Sequence, residues 1–203
     1  MQGLLNRAIE CFVTDMHGVA VWQAIGRKLH LDGAGLDAML SPDPSLARRM
    51  VAVLARILSR ADADVLEDIG TYVVSGPDMA ALRRLLRFGG EDFLDFLYSL
   101  DDLRDRARLA VASLDLPGLE LEEVGNDRFR LICYSGPPYR PDDSLAGFGH
   151  VMLGLLRAMA DDYGALVMLD HREGPPGTEV IEITLIETAF AVGRDFELGR
   201  RAG

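Results

Sequence analysis

Lysine is almost missing from this 203-residue chain. Lys28 is the only one, so nearly all positive charge is arginine, a habit of base composition with little bearing on function. Cysteine is scarce too. Cys11 and Cys133 are too few and too far apart for a metal knuckle or a disulfide framework. They read as small buried hydrophobes in a chain expected in a reducing cytosol. No stretch reaches the roughly 18 apolar residues of a membrane span. Arg7, Glu10 and Asp15 interrupt the segment where a signal peptide would be continuously apolar, so the expectation is a cytoplasmic protein. The net charge of -11, with no basic cluster except Arg200 and Arg201, argues against nucleic acid or an anionic membrane as partner.

Chemical motifs are equally sparse. Gly147-Phe148-Gly149 opens a helix but lacks the preceding strand and the spacing of a dinucleotide fingerprint. The four histidines, His17, His30, His150 and His171, include no helical pair four apart, so no metal site is expected, with His17 and His150 as the residual candidates. His150, alone within an apolar helix, reads as a hydrogen-bonded residue at the edge of the core. Asp161-Asp162 at a helix end and Asp170-His171 at a strand end have no visible partners and read as solvated polar ends. No nucleophile, base and orienting group come together, so an enzyme is not expected.

What is present is a core-forming pattern, 49% hydrophobic and 26% charged. Leu4, Leu5, Ala8, Ile9, Phe12 and Val13 share a helical face that ends at His17-Gly18, and Val21, Trp22, Ile25 and Leu29 share the next. Apolar periodicity returns from Leu46 to Leu58, then from an Asp62 cap through Val65, Leu66, Ile69 and Val73, and again from the SGPD break to Phe88. The second half changes period. LELEEV and RFRLICY alternate around Gly125-Asn126-Asp127, the pattern of a hairpin. A helix from about Ser144 to Tyr163 follows, then the strands ALVMLDH and TEVIEITLIET. Helices first and strands later predict an α+β fold: an N-terminal helical lobe, then helices packed on a four-stranded, mostly antiparallel sheet.

One residue breaks the pattern. A helix predicted from Phe93 to Ala112 buries Phe93, Phe96, Leu97, Leu100, Leu103, Ala107 and Val111, and Arg104 falls on that same stripe. A guanidinium there needs a partner or a path to solvent, and Asp101 or Glu91 is the simplest partner.

The string GTYVVSGPDMAALRRLLRFGGEDFLDFLYSLDDLRDRARLAVASLDLPGLEL resembles the heme-nitric oxide/oxygen-binding (H-NOX) family, which includes the sensor domain of soluble guanylate cyclase. MQGLLNRAIECFV and HGVAVWQAI resemble its first two helices. The resemblance implies a single domain over residues 1–188, with a helical lobe to about 60, an α/β lobe from about 61, and a tail over 189–203. It also places the family's heme-ligating histidine at Arg104 and the proline that presses on the porphyrin at Pro117. The family's tyrosine, serine and arginine that hold the heme propionates fall on Cys133, Ser135 and Pro137, so only the serine survives; aligning on Tyr134 instead would recruit Arg140. A guanidinium cannot ligate iron, so the resemblance with these departures implies the sensor fold without histidine-ligated heme.

By the same resemblance a pocket is walled by Leu5, Ile9, Val151, Leu155 and Pro117, apolar enough for a small hydrophobic ligand, with Arg104 turned to an acidic head group. The implied partners are a small apolar or acidic ligand and a separate signalling protein: a nucleotide cyclase, a cyclic-dinucleotide enzyme or a histidine kinase. Two alternatives stand beside this reading. One is a heme gas sensor using His17, His150, Cys133 or Cys11 as replacement ligand; the other is a ligand-free interaction domain.

Overall fold

The computed structural model describes residues 2–31, 45–110, 116–134 and 147–194. Four helices come first: α1 (Gln2–His17), α2 (Val19–Leu29), α3 (Leu46–Leu58) and α4 (Asp62–Ser75). Ile9, Phe12 and Val13 of α1 meet Ile25 and Leu29 of α2, Met50 and Leu54 of α3, and Val65, Ile69 and Tyr72 of α4 in one apolar cluster. Gly18, at φ 86°, allows the abrupt joint between α1 and α2. Ala61 occupies the cap position of α4, and Asp62 and Asp64 sit in its first turn, where their charge favours the positive end of the helix dipole. The cap expected at Asp62 is therefore displaced by one residue. No helix among the described residues is long and apolar enough to cross a membrane.

After a short 3-10 turn come α5 (Ala80–Arg87), α6 (Phe93–Tyr98) and α7 (Leu103–Ala110). Strands β1 (Gly118–Gly125) and β2 (Arg128–Tyr134) precede α8 (Phe148–Tyr163), and β3 (Leu166–Glu173) and β4 (Thr178–Glu187) close the fold. The sheet order is β1-β2-β4-β3 with every pairing antiparallel. Alternation does the rest: Phe129, Leu131 and Cys133 of β2 and Ile181, Ile183 and Leu185 of β4 are buried, and they pack with Met152, Leu156 and Met159 of α8 and Phe93, Phe96 and Leu97 of α6. The expected hairpin is present, with Asp127 in the left-handed region at φ 58° and the register shifting between Glu123 and Gly125.

The two clusters are joined by α4 and α8, which touch backbone to backbone. A Cβ on Gly154 would fall 1.9 Å from the Glu67 carbonyl oxygen, so only glycine fits. Val73 and Val74 of α4 pack on the sheet-side cluster while Val65, Ile69 and Tyr72 belong to the helical one. Helix α4 thus serves both cores.

Candidate functional site

The helix expected over 93–112 is broken. Ser99 is the cause: its hydroxyl donates to the Phe96 carbonyl at 2.7 Å, and its amide is shared between the Asp95 and Phe96 carbonyls. Leu100 then bonds back to Leu97, three residues away, and Leu103 to Leu100, so the chain turns tightly through Asp101 and Asp102 before α7 begins. The apolar stripe itself survives, with Phe93, Phe96, Leu97, Leu100, Leu103 and Ala107 all buried. Asp101 accepts the Leu121 amide at 2.7 Å, tying the turn to β1. Arg106 donates to both the carbonyl and the hydroxyl of Ser99, at 2.9 and 3.0 Å, and so closes the end of α6.

Arg104, in the first turn of α7, is half-buried. Pro117 is buried just ahead of β1. Ile9 lies in the helical cluster and Leu155 in the sheet-side cluster, with Val151 partly buried against the latter. Ile9 is 1% and Leu155 6% exposed, while Val151 is only partly buried. The Leu5 side chain and Ser135, Pro137 and Arg140 lie outside the described residues. Tyr134 donates to Glu120 at 2.5 Å across the hairpin.

Cys133 is buried in the sheet-side cluster and Cys11 in the helical one. Burial pushes the Cys133 thiol well above its usual range, with a further push from the Glu179 carboxylate. Glu179 is its direct partner across β2 and β4. This environment favours the neutral form of the Cys133 thiol.

Two polar sites escaped the sequence pattern. Asp162, expected as a solvated helix end, is 1% exposed. Arg83 grips it through two bonds, Nε at 3.1 Å and Nη2 at 2.5 Å, and Arg87 stands 4.0 Å away while stacking on the Tyr163 ring. Tyr163 is pushed up to about 12, chiefly by burial. The second site joins His150, at the start of α8, to His171 of β3 and Glu179 of β4. The two imidazoles stack with centroids 3.9 Å apart, and His171 Nε2 lies 2.9 Å from Glu179 Oε2. His17, the other residual metal candidate, instead meets Phe12 edge to face at the end of α1.

Hairpin arithmetic carries the missed signal. Glu173 faces Glu179 across β3 and β4, so Glu179 is the diagonal neighbour of His171 on one face.

The haem-NO-binding family model matches residues 2–171. The chain belongs to the haem-NO-binding family. Solved H-NOX structures share its fold. An H-NOX protein of S. oneidensis in the Fe(II)NO state superimposes with a TM-score of 0.69 at 21% identity, covering 91% of this chain and 99% of that one. The Fe(II) unliganded H-NOX protein of K. algicida gives 0.70 at 14% identity, covering 93% and 98%. A point mutant of the T. tengcongensis H-NOX protein gives 0.68 at 15%, covering 94% and 100%. The α+β reading with its four-stranded sheet matches these structures, and the family is the one the sequence resembles.

Arg104 offers no lone pair to iron, whereas the Nε2 of His17 is buried with no hydrogen-bond partner among the described residues.

Proposed function

We propose that this chain is a non-enzymatic sensory domain of the haem-NO-binding family that works without histidine-ligated heme. It binds a small apolar or acidic ligand and passes its occupancy to a separate signalling protein of the cyclase, cyclic-dinucleotide enzyme or histidine kinase kind. The observation that carries this reading is Arg104, half-buried beside the apolar stripe of α6 and α7. Matched to the family pattern, it stands where the iron ligand would be, and Pro117, thirteen residues on and buried, supports that register. A guanidinium there exchanges a metal donor for a carboxylate-binding fork.

The test is a hemin titration of the purified chain, followed by a thermal-shift screen with short-chain carboxylic acids. The expected result is no stoichiometric Soret band and a raised midpoint with an acid that the Arg104→Ala variant does not show. A saturating one-to-one Soret band that moves with nitric oxide would overturn the reading in favour of a gas sensor. Indifference to both hemin and acids would leave a ligand-free interaction domain.

A further inference from the structure

Away from Arg104, three side chains from three separate elements meet where the start of α8 crosses the β3-β4 hairpin. One donor atom from each of His150, His171 and Glu179 lies within 4.8 Å of the other two. Glu179 is fixed before any ligand arrives, since its Oε1 accepts the Gly147 amide and its Oε2 the Gly149 amide, each at 3.1 Å. His150 Nδ1 is buried and makes no hydrogen bond, with Glu67 Oε1 3.5 Å away. Gly149 keeps the space open: a Cβ there would stand 2.6 Å from Glu179 Oε2 and 2.7 Å from His171 Nε2. Beside the three runs a cleft of about 430 Å³, walled by the glycine- and proline-rich hairpin loop from Gly174 to Gly177.

We propose that His150, His171 and Glu179 form a binding site for a divalent transition metal of the zinc type, with the cleft supplying a fourth, solvent position. Two imidazoles and one carboxylate are a zinc donor set, and tetrahedral bonds of about 2.0–2.2 Å would set the donors about 3.3 Å apart. The donors are now within 4.8 Å of one another, and binding would swing the two imidazoles out of their 3.9 Å stack so that both lone pairs meet at one ion. Glu67 stands where a carboxylate would orient His150 through Nδ1, leaving Nε2 for the metal, the usual support for a ligating imidazole. Bound metal would clamp the start of α8 to the β3-β4 hairpin. The site stands independently of what Arg104 binds.

The probe is Co²⁺, then Zn²⁺, added to chelator-treated full-length protein without hemin. One Co²⁺ per chain should give the visible absorption of a four-coordinate site, and Zn²⁺ should displace it and raise the midpoint of thermal unfolding. His171→Gln, Glu179→Gln and His150→Gln should each weaken binding at least about tenfold, as loss of even a supporting group can, while His17→Gln leaves it unchanged. His150→Gln keeps the His171–Glu179 bond and decides the matter if a hairpin variant fails to fold by circular dichroism. The proposal is overturned if no saturable cobalt band appears, or if band and stoichiometry persist in His150→Gln.

Discussion

A Cβ added to Gly70 would lie 1.9 Å from the carbonyl oxygen of Val151, so α4 and α8 are in backbone contact at that point. Gly154 repeats the relationship from the other helix, against Glu67, and Thr71 donates to the Gly154 carbonyl at 3.3 Å. Val151, assigned to the pocket by resemblance, therefore sits on the seam that joins the two apolar clusters.

Gly70→Ala or Gly154→Ala must separate the helices, because the obstructing atoms are backbone and cannot rotate away. Overpacking of this kind costs about 1–3 kcal/mol, and rigid neighbours place these variants at or above the upper end. Urea unfolding should show the loss. A control, Gly125→Ala, meets nothing within 4 Å and should cost less than either.

Asp162→Ala removes the buried carboxylate that Arg83 grips and that Arg87 faces at 4.0 Å. Breaking a buried ion pair by deleting one partner costs about 3–5 kcal/mol. Arg83, whose side chain is 27% exposed, can rehydrate, so the expected loss is about 3 kcal/mol, near the lower bound. Arg83→Ala should be worse tolerated than Arg84→Ala, whose guanidinium donates to the Ala80 carbonyl on the surface of the same helix. Equal midpoints for those two arginine variants in chemical denaturation would contradict the account.

The sequence pattern made the architecture legible because its periods changed cleanly. LELEEV and RFRLICY flank turn residues, and they pair as expected, Leu121 opposite Leu131. The helix from Phe93 was legible in its apolar stripe but not in its break. Ser99 is compatible with a helix interior until its hydroxyl and amide are both seen to compete for the carbonyls before it. Asp162 read as solvated because its partner Arg83 lies 79 residues earlier, on a helix whose placement the sequence does not state. The His150, His171 and Glu179 group was hidden for a related reason. A search for histidines on one helix cannot see donors brought together by a strand pairing and a helix crossing.

Ser99 and Arg106 offer a local test of the helix break. Arg106 is the arginine that holds the end of α6, through two bonds to Ser99. Arg106→Leu should cost about 1.5–3 kcal/mol, the range for hydrogen bonds to a charged group, and should raise hydrogen exchange of the Ser99 and Leu100 amides first. Uniform exchange across α6 and α7 would show instead that the turn is not held by this side chain.

Cys133 should make stability fall at alkaline pH. Its folded pKa is raised by burial, so the folded chain keeps the thiol proton while the unfolded chain releases it near the ordinary value of about 8.5. Below that value both states are protonated and the advantage of the neutral thiol is complete. Above it the unfolded state binds fewer protons, and stability declines by up to about 1.4 kcal/mol for each further pH unit until the folded pKa is reached. Tyr163, raised to about 12, adds a second decline that begins only near the ordinary tyrosine value of about 10. Between about pH 8.5 and 9.5 the Cys133 contribution is therefore separable. Unfolding free energies of the wild-type chain should drop by about 1 kcal/mol more over that interval than those of Cys133→Ala, which has no thiol to ionise. Thiol titration at about pH 8 should agree, with Cys133 unreactive in the native chain and reactive in denaturant. Parallel pH curves for the two proteins, or rapid native labelling of Cys133, would show that its thiol is not held neutral by the packing of β2 against α8.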